Sequence, residues 1–443
     1  MNPVVKLKRI LLLVGDILIL YISMVIMLLV RYGSLSDAIA RSHYKPFSIL
    51  FILWILVSYI GDLYELSVLK NNIDFTKRLA IVLGINGLVA VLFFYFLPGA
   101  SIAPKTNLFL FLFIVGILDT LWRKSYNTFM VRTVPATRIL AIGYNQTFEE
   151  AARFASRHPQ LGYEITTWMK EGLHDKQFAH LTNMIAAHRI TMIVVPAHIK
   201  KSPRAAKLIY KNLASGIRVV DLAEFYEMLF KKVPLAELEE VWFLDNLITT
   251  HRIYDTIKRP LEIVIVALFL MLTLPLTLLI ALMILLTSGW PILFSQTRTG
   301  LGGKEFVLQK FRTMRRDAEA LGPQWASKDD TRTTPFGKFL RRTHLDEFPQ
   351  LINVLKGSVA LIGPRPERPE FVRMLEREIP YYELRHIIRP GITGWAQTHY
   401  RYGASVEDAY EKLQYDIYYL KHRSLFLDAV ILLKTVKFFF TNL

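Results

Sequence analysis

The sequence predicts a membrane protein with an α-helical N-terminal bundle, a doubly wound α/β middle domain, and a mostly α-helical C-terminal domain that enters the membrane through a re-entrant helix. Long apolar segments crowd the first third of the chain and recur once near residue 260, and strand and helix patterns alternate in between. The predicted boundaries are 1–130 for the bundle, 136–235 for the middle domain, 236–257 for a linker, and 258–443 for the last domain, with its re-entrant helix at 260–286.

The composition indicates a membrane protein whose cytoplasmic face meets anionic lipid or phosphorylated ligands. The chain has 443 residues, of which 52% are apolar, and its formal net charge is +17. Nucleic acid is the competing explanation of this charge, but the basic residues surround apolar segments and no common nucleic-acid-binding motif is present. The sequence contains no cysteine, which excludes disulfides and thiolate metal sites.

Four apolar segments near the N-terminus each approach or reach the ~20 residues that a helix needs to cross a bilayer. The stretch from Met1 to Arg9 is basic and leads into the first segment without an obvious cleavage site, which favours a retained anchor over a signal peptide. Basic residues favour one side of the short connections, so both ends of the bundle are expected in the cytoplasm. The segments cover residues 10–30, 47–66, 79–97 and 107–122.

Three acidic residues, Asp16, Asp62 and Asp119, lie in or near these segments. Intramembrane acids can mark a transport path, which makes a transporter one hypothesis for the protein. Two of the three lie near segment ends, and few polar residues share one face of any segment. Packing or helix-end roles are therefore the favoured interpretation.

Residues 138–235 alternate between strand and helix patterns, which predicts a parallel, Rossmann-like sheet. The loop after the first strand, Gly143 to Phe148, has one glycine where a dinucleotide fingerprint needs three. Asn145 and Phe148 carry side chains where the backbone would have to approach a pyrophosphate. A structural, regulatory or dimerising role is favoured over cofactor binding. Strands are predicted at 138–143, 163–168, 191–196 and 217–221, and helices at 149–156, 178–188 and 201–214.

A fifth apolar segment begins at Lys258, Arg259 and Pro260 and runs to Leu286. It is long enough to span, but Pro275 lies in its middle, removes a helical hydrogen bond and favours a bend. A spanning helix would put residues 290–443 outside the cell, whereas a helix that enters, breaks at Pro275 and returns keeps them in the cytoplasm. We favour the re-entrant form, and an ordinary kinked spanning helix is the alternative.

The C-terminal domain contains amphipathic helix patterns that could lie in the plane of the lipid headgroups. The stretch from Phe371 to Glu378 alternates apolar and charged residues at helical spacing. The stretch from Ala429 to Phe440 sets Lys434 and Lys437 against apolar residues. Packing against a soluble core is the alternative for both helices.

The residues most suited to chemistry are the adjacent carboxylates Asp346 and Glu347. Proline suits a first helical turn and glycine a helix end, so a helix is predicted from Phe348-Pro349 to about Lys356, with Gly357 as its stop. The positive end of that helix dipole would face the carboxylates and keep Asp346 ionised. An ionised aspartate can accept a phosphoryl group, and a neighbouring glutamate can hold Mg²⁺. A helix cap is the structural alternative.

Basic residues around the two carboxylates favour the chemical interpretation. Arg341 precedes Asp346 by five residues, and Arg365 lies between two prolines that stiffen its backbone for bidentate phosphate binding. Lys310 and Arg312 add two cations. Arginines and a metal are a common means of stabilising a developing phosphoryl transition state. The stretch from Gly300 to Gly303 predicts a hairpin turn or a close backbone approach.

Several ordered sequence blocks lie between residue 258 and the C-terminus. They are Lys258-Arg259 with Pro275, Pro291-Ile292 with Gln296, Arg298 and Gly300, Lys310–Met314, Leu345–Gln350, Asn353–Gly357, Gly363–Pro366 and Arg389–Gln397. Together they closely resemble the bacterial sugar transferase family, the monotopic polyprenol-phosphate phosphoglycosyl transferases. The bundle and the degenerate nucleotide-fold domain resemble the long members of that family. Residues 402–408 and 411–416 resemble the exopolysaccharide subgroup found alongside exosortase systems.

The resemblance implies a specific reaction. A UDP-sugar binds with Mg²⁺, Asp346 attacks the sugar-linked phosphate, and UMP leaves. Undecaprenyl phosphate then takes the phosphosugar from the enzyme, which begins an exopolysaccharide or O-antigen repeat unit. Glu347 matches the family's metal-linked glutamate, and Arg341 and Arg365 match arginines that support phosphate binding.

The resemblance also implies location and assembly. Lys258, Arg259 and Pro275 match residues that set the re-entrant helix, although many members have serine where this chain has Leu274. The expected protein is a multi-pass homodimer of the bacterial inner membrane, with its catalytic domain on the cytoplasmic face. A catalytically vestigial scaffold of a polysaccharide assembly complex is the alternative from another functional class. Neither the sugar nor the pathway follows from the sequence.

Overall fold

The computed structural model describes residues 3–66, 69, 71–96, 104–133, 136–169, 183–197, 217–247, 252–315, 318, 332–400, 403 and 405–441. The chain forms two compact units, Met1–Leu229 and Phe230–Leu443. The domain boundaries predicted from the sequence are finer than this division and stay predictions.

Four long helices occupy the N-terminal part of the first unit, as the apolar segments predict. Among the described residues, α1, α2 and α3 are long and apolar enough to cross a membrane, as is one helix of the second unit. The helix α4 packs against α1 and carries polar residues in its C-terminal half. The four helices are α1 Pro3–Tyr32, α2 Asp37–Ile60, α3 Ile73–Phe96 and α4 Pro104–Thr133.

Asp16, Asp62 and Asp119 are each paired with an arginine. Arg123 is fully buried and binds both Asp16 and Asp119, the latter at 3.2 Å. Asp62 pairs with Arg78 at 2.8 Å. A nearby cation and hydrogen bonds offset the free-energy cost of burying a charged carboxylate. The packing interpretation accounts for all three acids.

The rest of the first unit is a parallel sheet with the strand order β2-β1-β3-β4. The predicted helix at 178–188 is described only from residue 183, where the chain is helical to residue 188. The predicted helix at 201–214 lies outside the described residues. The elements are β1 Thr137–Ile142, α5 Gln146–Arg157, β2 Tyr163–Met169, β3 Met192–Val195, β4 Arg218–Asp221 and α6 Leu222–Phe230.

Bulky side chains fill the carboxyl end of β1, where a nucleotide would approach an open α/β sheet. Trp168 donates a hydrogen bond from Nε1 to the Gly143 carbonyl at 2.9 Å, and Tyr144 stacks on its ring. The Asn145 side chain caps α5 by accepting from the Phe148 amide at 2.7 Å. This contact uses the amide that a bound phosphate would need.

The described part of the second unit is mostly helical, with two small sheets. The antiparallel pair β5–β6 and the parallel pair β7–β8 lie among the helices. The elements are α7 Glu240–Leu247, α8 Arg252–Ser288, β5 Leu293–Thr299, β6 Glu305–Phe311, α9 Pro335–Arg342, α10 Gln350–Lys356, β7 Ala360–Ile362, α11 Pro369–Glu378, β8 Gly391–Thr393, α12 Trp395–His399, α13 Val406–His422 and α14 Leu425–Thr441.

The helix α8 packs on its own unit at two separated places. Val266 is buried in a cluster with Leu308 and Val354, whereas Ile280 and Ile284 are buried in a second cluster. Between Val266 and Ile280 every residue is described and none is buried. The helix therefore stands away from the protein around Pro275.

The backbone of α8 is helical on both sides of Pro275, and the predicted re-entrant break at this proline stays a prediction. Thr277 donates its hydroxyl to the carbonyl of Leu274 at 2.8 Å. The carbonyl that Pro275 leaves without an amide donor is that of Met271, four residues earlier, so the Thr277 contact does not replace the missing bond.

The predicted amphipathic helix at 371–378 lies in α11, which buries Val372 and Leu375 against the unit and exposes its charges. The stretch 429–440 lies in α14, which buries Val430 and Ile431. The side chain of Lys437 lies outside the described part of α14. Packing against the protein accounts for the buried face of each helix.

Candidate active site

The carboxylates Asp346 and Glu347 lie in a single 3₁₀ turn, Leu345–Glu347, directly before α10. The helix α10 begins at Gln350 with Pro349 as its N-cap residue and ends at Lys356. Gly357 follows with φ of 87°, a left-handed conformation that few other residues adopt. The predicted order of turn, proline, helix and glycine stop is confirmed to within two residues.

The hairpin β5–β6 brings the first cation to this turn. Residues Gly300 to Gly303 close the hairpin, which confirms the turn alternative for this glycine-rich stretch. Lys310, near the end of β6, places its Nζ 3.0 Å from Oε1 of Glu347. The hairpin also supplies Asn353 of α10 with a backbone acceptor, the Val307 carbonyl at 2.8 Å.

The loop after β7 brings the second cation. Arg365 donates from Nη2 to the same Oε1 atom of Glu347 at 2.8 Å. Charge-assisted hydrogen bonds of this kind are stronger than neutral ones. Burial by itself would raise the pKa of Glu347, but Lys310 and Arg365 outweigh it and hold that pKa well below the usual value of a glutamate.

The carboxylate of Asp346 is in a different state, although it is the next residue. Asp346 is only 7% exposed, and it accepts no hydrogen bond from the described residues. Burial, followed by the negative charge of Glu347, raises the pKa of Asp346 to about 6 against the opposing charges of Lys310, Arg341 and Arg365. This raised pKa still lies below 7, so the carboxylate form of Asp346 is present at neutral pH.

Arg341 lies in the last turn of α9 and is held by two threonines. Its Nε donates to Oγ1 of Thr313 at 2.9 Å, and its Nη1 donates to Oγ1 of Thr333 at 3.2 Å. The arginine acts on Asp346 through its charge and not through a hydrogen bond. The predicted site residues Asp346, Glu347, Lys310, Arg341 and Arg365 thus share one electrostatic environment.

Arg312 is directed elsewhere. Its Nη2 donates to the carbonyls of Ser288 and Gly289, each at 2.5 Å, at the C-terminal end of α8. A cation at a helix C-terminus is favoured by the helix dipole. The side chain therefore anchors the end of α8, and phosphate binding by Arg312 stays a prediction.

Lys258 and Arg259, at the start of α8, bind backbone near the site. Lys258 Nζ donates to the Ile362 carbonyl at 2.9 Å and forms an ion pair with Asp428 at 3.2 Å. Arg259 Nη2 donates to the Leu355 carbonyl at 3.1 Å, at the end of α10. Both residues connect α8 to the elements that carry the active-site turn and the Arg365 loop.

The sequence does not predict the roles of two residues of the site, His344 and Arg298. His344, directly before the turn, has a left-handed backbone with φ of 53°, and its carbonyl accepts from the Glu347 amide at 3.2 Å. Histidine tolerates this conformation better than most residues, but no local pattern predicts it. Arg298 donates from Nη1 to the Pro366 carbonyl at 3.0 Å. Its place in one of the sequence blocks that resemble the family is the one feature of the sequence that points to it.

The site offers few ligands for a metal ion. Among the described residues, no group of three or more histidine, aspartate or glutamate side chains could hold one. Mg²⁺ typically uses one or two protein carboxylates and takes its other ligands from phosphates and water. Glu347 fits that small requirement, and Mg²⁺ would compete with Lys310 and Arg365 for its carboxylate.

Comparison with known proteins identifies similar chains. Residues 253–442 match the family described as "Bacterial sugar transferase". The UDP-N-acetylgalactosamine-undecaprenyl-phosphate N-acetylgalactosaminephosphotransferase of Aeromonas hydrophila is 42% identical over 226 residues, which are 51% of this chain and 53% of that protein. Two proteins named UDP-glucose:undecaprenyl-phosphate glucose-1-phosphate transferase also match. The one from Escherichia coli K12 is 31% identical over 64% of this chain and 63% of its own length.

The second of these, from Caulobacter vibrioides, is 42% identical over 184 residues, which are 41% of this chain and 69% of that protein. The chain thus spans about half the length of the Aeromonas relative and under two thirds of the Escherichia coli relative.

Removal of the Asp346 charge is expected to stabilise the protein. A carboxyl whose pKa rises from 3.8 to about 6 on folding carries a penalty that is absent below pH 3.8 and complete above pH 6. That penalty is roughly 3 kcal/mol at ~1.4 kcal/mol per pKa unit. Asp346→Asn should therefore raise the apparent Tm by a few degrees at pH 7.5 and by less at pH 5, measured in detergent with EDTA.

Glu347→Gln is the matched control, because the pKa of Glu347 is lowered on folding. Its loss leaves Lys310 and Arg365 without their shared carboxylate, so this variant should lower the apparent Tm at pH 7.5. An Asp346→Asn protein that melts below the wild type at pH 7.5 would show that the Asp346 charge is not a cost to the fold.

Proposed function

Because this chain belongs to the bacterial sugar transferase family, we propose that it transfers a hexose-1-phosphate from a UDP-sugar to undecaprenyl phosphate. The reaction releases UMP and initiates the synthesis of an exopolysaccharide or O-antigen repeat unit. The observation that carries the proposal is a buried carboxylate beside a second carboxylate that already binds two cations. That arrangement suits nucleophilic attack on a phosphate ester.

The proposed reaction proceeds in two displacements at one phosphorus. An Asp346 carboxylate oxygen attacks the sugar-linked phosphorus, and the bond from that phosphorus to the bridging oxygen breaks. UMP leaves with the bridging oxygen, and the sugar phosphate remains on Asp346 as an acyl phosphate. A phosphate oxygen of the lipid then attacks the same phosphorus, which regenerates the carboxylate and forms the lipid diphosphate sugar.

The cations of the site are suited to the charge of a diphosphate. Lys310 and Arg365 converge on a single oxygen of Glu347, within 3.0 Å and 2.8 Å. An entering diphosphate can accept some of these hydrogen bonds in place of the carboxylate. The charge of Arg341, fixed by Thr313 and Thr333, opposes the repulsion between Asp346 and a phosphate.

Mg²⁺ is the proposed cofactor, with Glu347 as its protein ligand. A bound divalent ion would neutralise phosphate charge as it develops. The residues of this chain have separate roles in the proposed reaction. Asp346 supplies the nucleophile, Arg341 and Arg365 orient phosphate oxygens, and Lys310 shares the remaining negative charge of Glu347.

We also propose that α8 is re-entrant and that the catalytic unit lies on the cytoplasmic face of the inner membrane. The support is the packing of α8, which is buried at Val266 and at Ile280 and has no buried residue between them. Most of the side chains around Pro275 are apolar and exposed, Met271, Leu272 and Leu278 among them. A surface of that kind is stable in lipid, and Pro275 would allow the bend.

The middle domain is proposed to be Rossmann-like in fold but without a bound dinucleotide. Its strand order and parallel pairing support the fold. The contacts of Trp168 with Gly143 and of Asn145 with Phe148 occupy the positions that a pyrophosphate would use. We propose a structural, regulatory or dimerising role for this domain, and a homodimeric state for the whole protein.

The function is tested by UMP release. Purified protein with Mg²⁺ and undecaprenyl phosphate is expected to release UMP from at least one member of a panel of UDP-glucose, UDP-galactose, UDP-N-acetylglucosamine and UDP-N-acetylgalactosamine. Asp346→Asn should lower the rate by at least about 1,000-fold, because the nucleophile is lost. Glu378→Gln, a change at an exposed carboxylate of α11, should stay within twofold of the wild type.

A stable, folded wild type that releases no UMP from any sugar of the panel would favour the alternative, a catalytically vestigial scaffold. Full turnover by Asp346→Asn would instead retain the transferase and exclude the covalent route through this residue.

The topology is tested with single cysteines, since the chain has none of its own. Ser34→Cys lies between α1 and α2, Ser156→Cys lies in the middle domain, and Lys304→Cys lies in the β5–β6 turn; all three positions are exposed. In spheroplasts, a membrane-impermeant maleimide should label only the first. Labelling of the Lys304→Cys protein without permeabilisation would show that α8 spans the membrane.

A further inference from the structure

The loop that presents Arg365 is bound by a donor at each of four successive carbonyls. The Gly391 amide donates to Pro364 at 2.8 Å, and the Thr299 amide donates to Glu367 at 2.9 Å. The two carbonyls between them accept from side chains, and both of these side chains are arginines. Four hydrogen bonds to successive carbonyls therefore fix the backbone around Arg365.

Arg385 binds the first of these carbonyls. Its Nη2 donates to the Arg365 carbonyl at 2.9 Å and also lies 3.0 Å from the Asp416 carboxylate. Arg385 is 6% exposed and Asp416 is 2% exposed. A third contact joins Nη1 of Arg385 to the hydroxyl of Tyr382. The guanidinium thus has an ion pair and a phenol that fix its orientation toward the loop.

Arg298 binds the second carbonyl. Its Nη1 donates to the Pro366 carbonyl at 3.0 Å, and its Nη2 donates to Oε1 of Gln296 at 2.5 Å. The Glu367 carboxylate lies 3.7 Å from the same guanidinium. Since Gln296 and Arg298 lie two residues apart on β5, the hairpin that supplies Lys310 also holds the loop that supplies Arg365.

The backbone packing leaves this loop little room to move. A Cβ atom on Gly391 would lie 2.0 Å from the Gly363 nitrogen, and one on Gly394 would lie 2.2 Å from the Gly363 carbonyl oxygen. Glycine is required at both positions, because any side chain would displace the loop. The loop therefore rests against the β8 strand and its flanks, while the two arginines bind the carbonyls of Arg365 and Pro366.

We propose that Arg385 and Arg298 are positioning residues, which act on the transfer reaction by holding the backbone of Arg365, with Asp416 as the counter-ion that orients Arg385. The proposal rests on the proposed function, since Arg365 is taken there to orient phosphate oxygens. Neither arginine contacts substrate in this scheme. Both arginines affect the reaction by setting the position of the Arg365 guanidinium relative to Glu347.

The expected effect follows from the sensitivity of catalysis to position. A displacement of about 1 Å at a reacting group can cost about 100-fold in rate. A lysine at position 385 keeps a positive charge near Asp416. It lacks the planar guanidinium that contacts the Asp416 carboxylate, the Tyr382 hydroxyl and the Arg365 carbonyl at the same time. Arg385→Lys should therefore lower kcat/KM by about 10- to 100-fold, mainly through kcat.

A double-mutant cycle separates positioning from a general loss of structure. In an Arg365→Ala background, Arg385→Lys should change kcat/KM by less than twofold, because the residue through which it acts is gone. Arg373→Gln, at an exposed arginine of α11, is the control and should stay within twofold of the wild type. Multiplicative effects of Arg385→Lys in both backgrounds would overturn the proposal.

Hydrogen exchange tests the same claim without any need for turnover. In Arg385→Lys, peptides that contain Gly363, Arg365 and Glu367 should exchange their amides faster than in the wild type, and peptides of α9 and α11 should not. Unchanged exchange in the loop would overturn the proposal even if activity falls. Exchange that rises throughout the unit would also overturn it, because the arginine would then support the fold as a whole.

Arg298→Lys provides an independent variant if Arg385→Lys does not yield folded protein, with the same cycle and the same exchange experiment at the neighbouring carbonyl. If the wild type releases no UMP, the exchange result still decides whether the arginines hold the loop, so the two proposals fail separately.

Discussion

The candidate site depends on an unequal sharing of charge between two adjacent carboxylates. Glu347 receives both cations, Lys310 at 3.0 Å and Arg365 at 2.8 Å, on one oxygen. Asp346 is buried beside it and receives their charge only at a distance, so its pKa rises to about 6. Glu347 is held as a fixed anion, while Asp346 stays largely ionised at neutral pH without being tied in a salt bridge. A carboxylate in that state is available as a nucleophile.

The rest of the second unit holds three distant parts of the chain in this arrangement. The β5–β6 hairpin carries Lys310, the short turn carries the carboxylates, and the loop after β7 carries Arg365. The start of α8 binds the last two parts through Lys258 and Arg259, which donate to backbone carbonyls beside β7 and at the end of α10. The apolar helix α8 thus contacts the two elements that flank the candidate site, β7 and α10. Under the proposed function and topology, a nucleotide sugar reaches this site from the cytoplasm and a lipid phosphate reaches it from the bilayer.

Local signals in the sequence predict the elements, because they arise from local physics. The apolar segments, the proline before α10 and Gly357 after it each restrict a few neighbouring dihedral angles or bury one helix face. The alternation of strand and helix patterns likewise predicts the parallel sheet. The directions of long side chains are set by distant contacts and do not follow from sequence spacing. Arg312 lies two residues from Lys310 in a predicted cationic cluster, yet it binds the end of α8.

The central claim is that Asp346 forms a covalent bond to the transferred phosphosugar, and direct mass analysis tests it. Protein is incubated with the UDP-sugar and Mg²⁺ but without undecaprenyl phosphate, quenched in acid, digested and sequenced. The predicted result is a peptide from the Leu345–Gln350 region that carries one phosphosugar on Asp346 and loses it on treatment with hydroxylamine. A protein that turns over with both substrates but yields no such adduct, or yields it on another residue, would contradict the account.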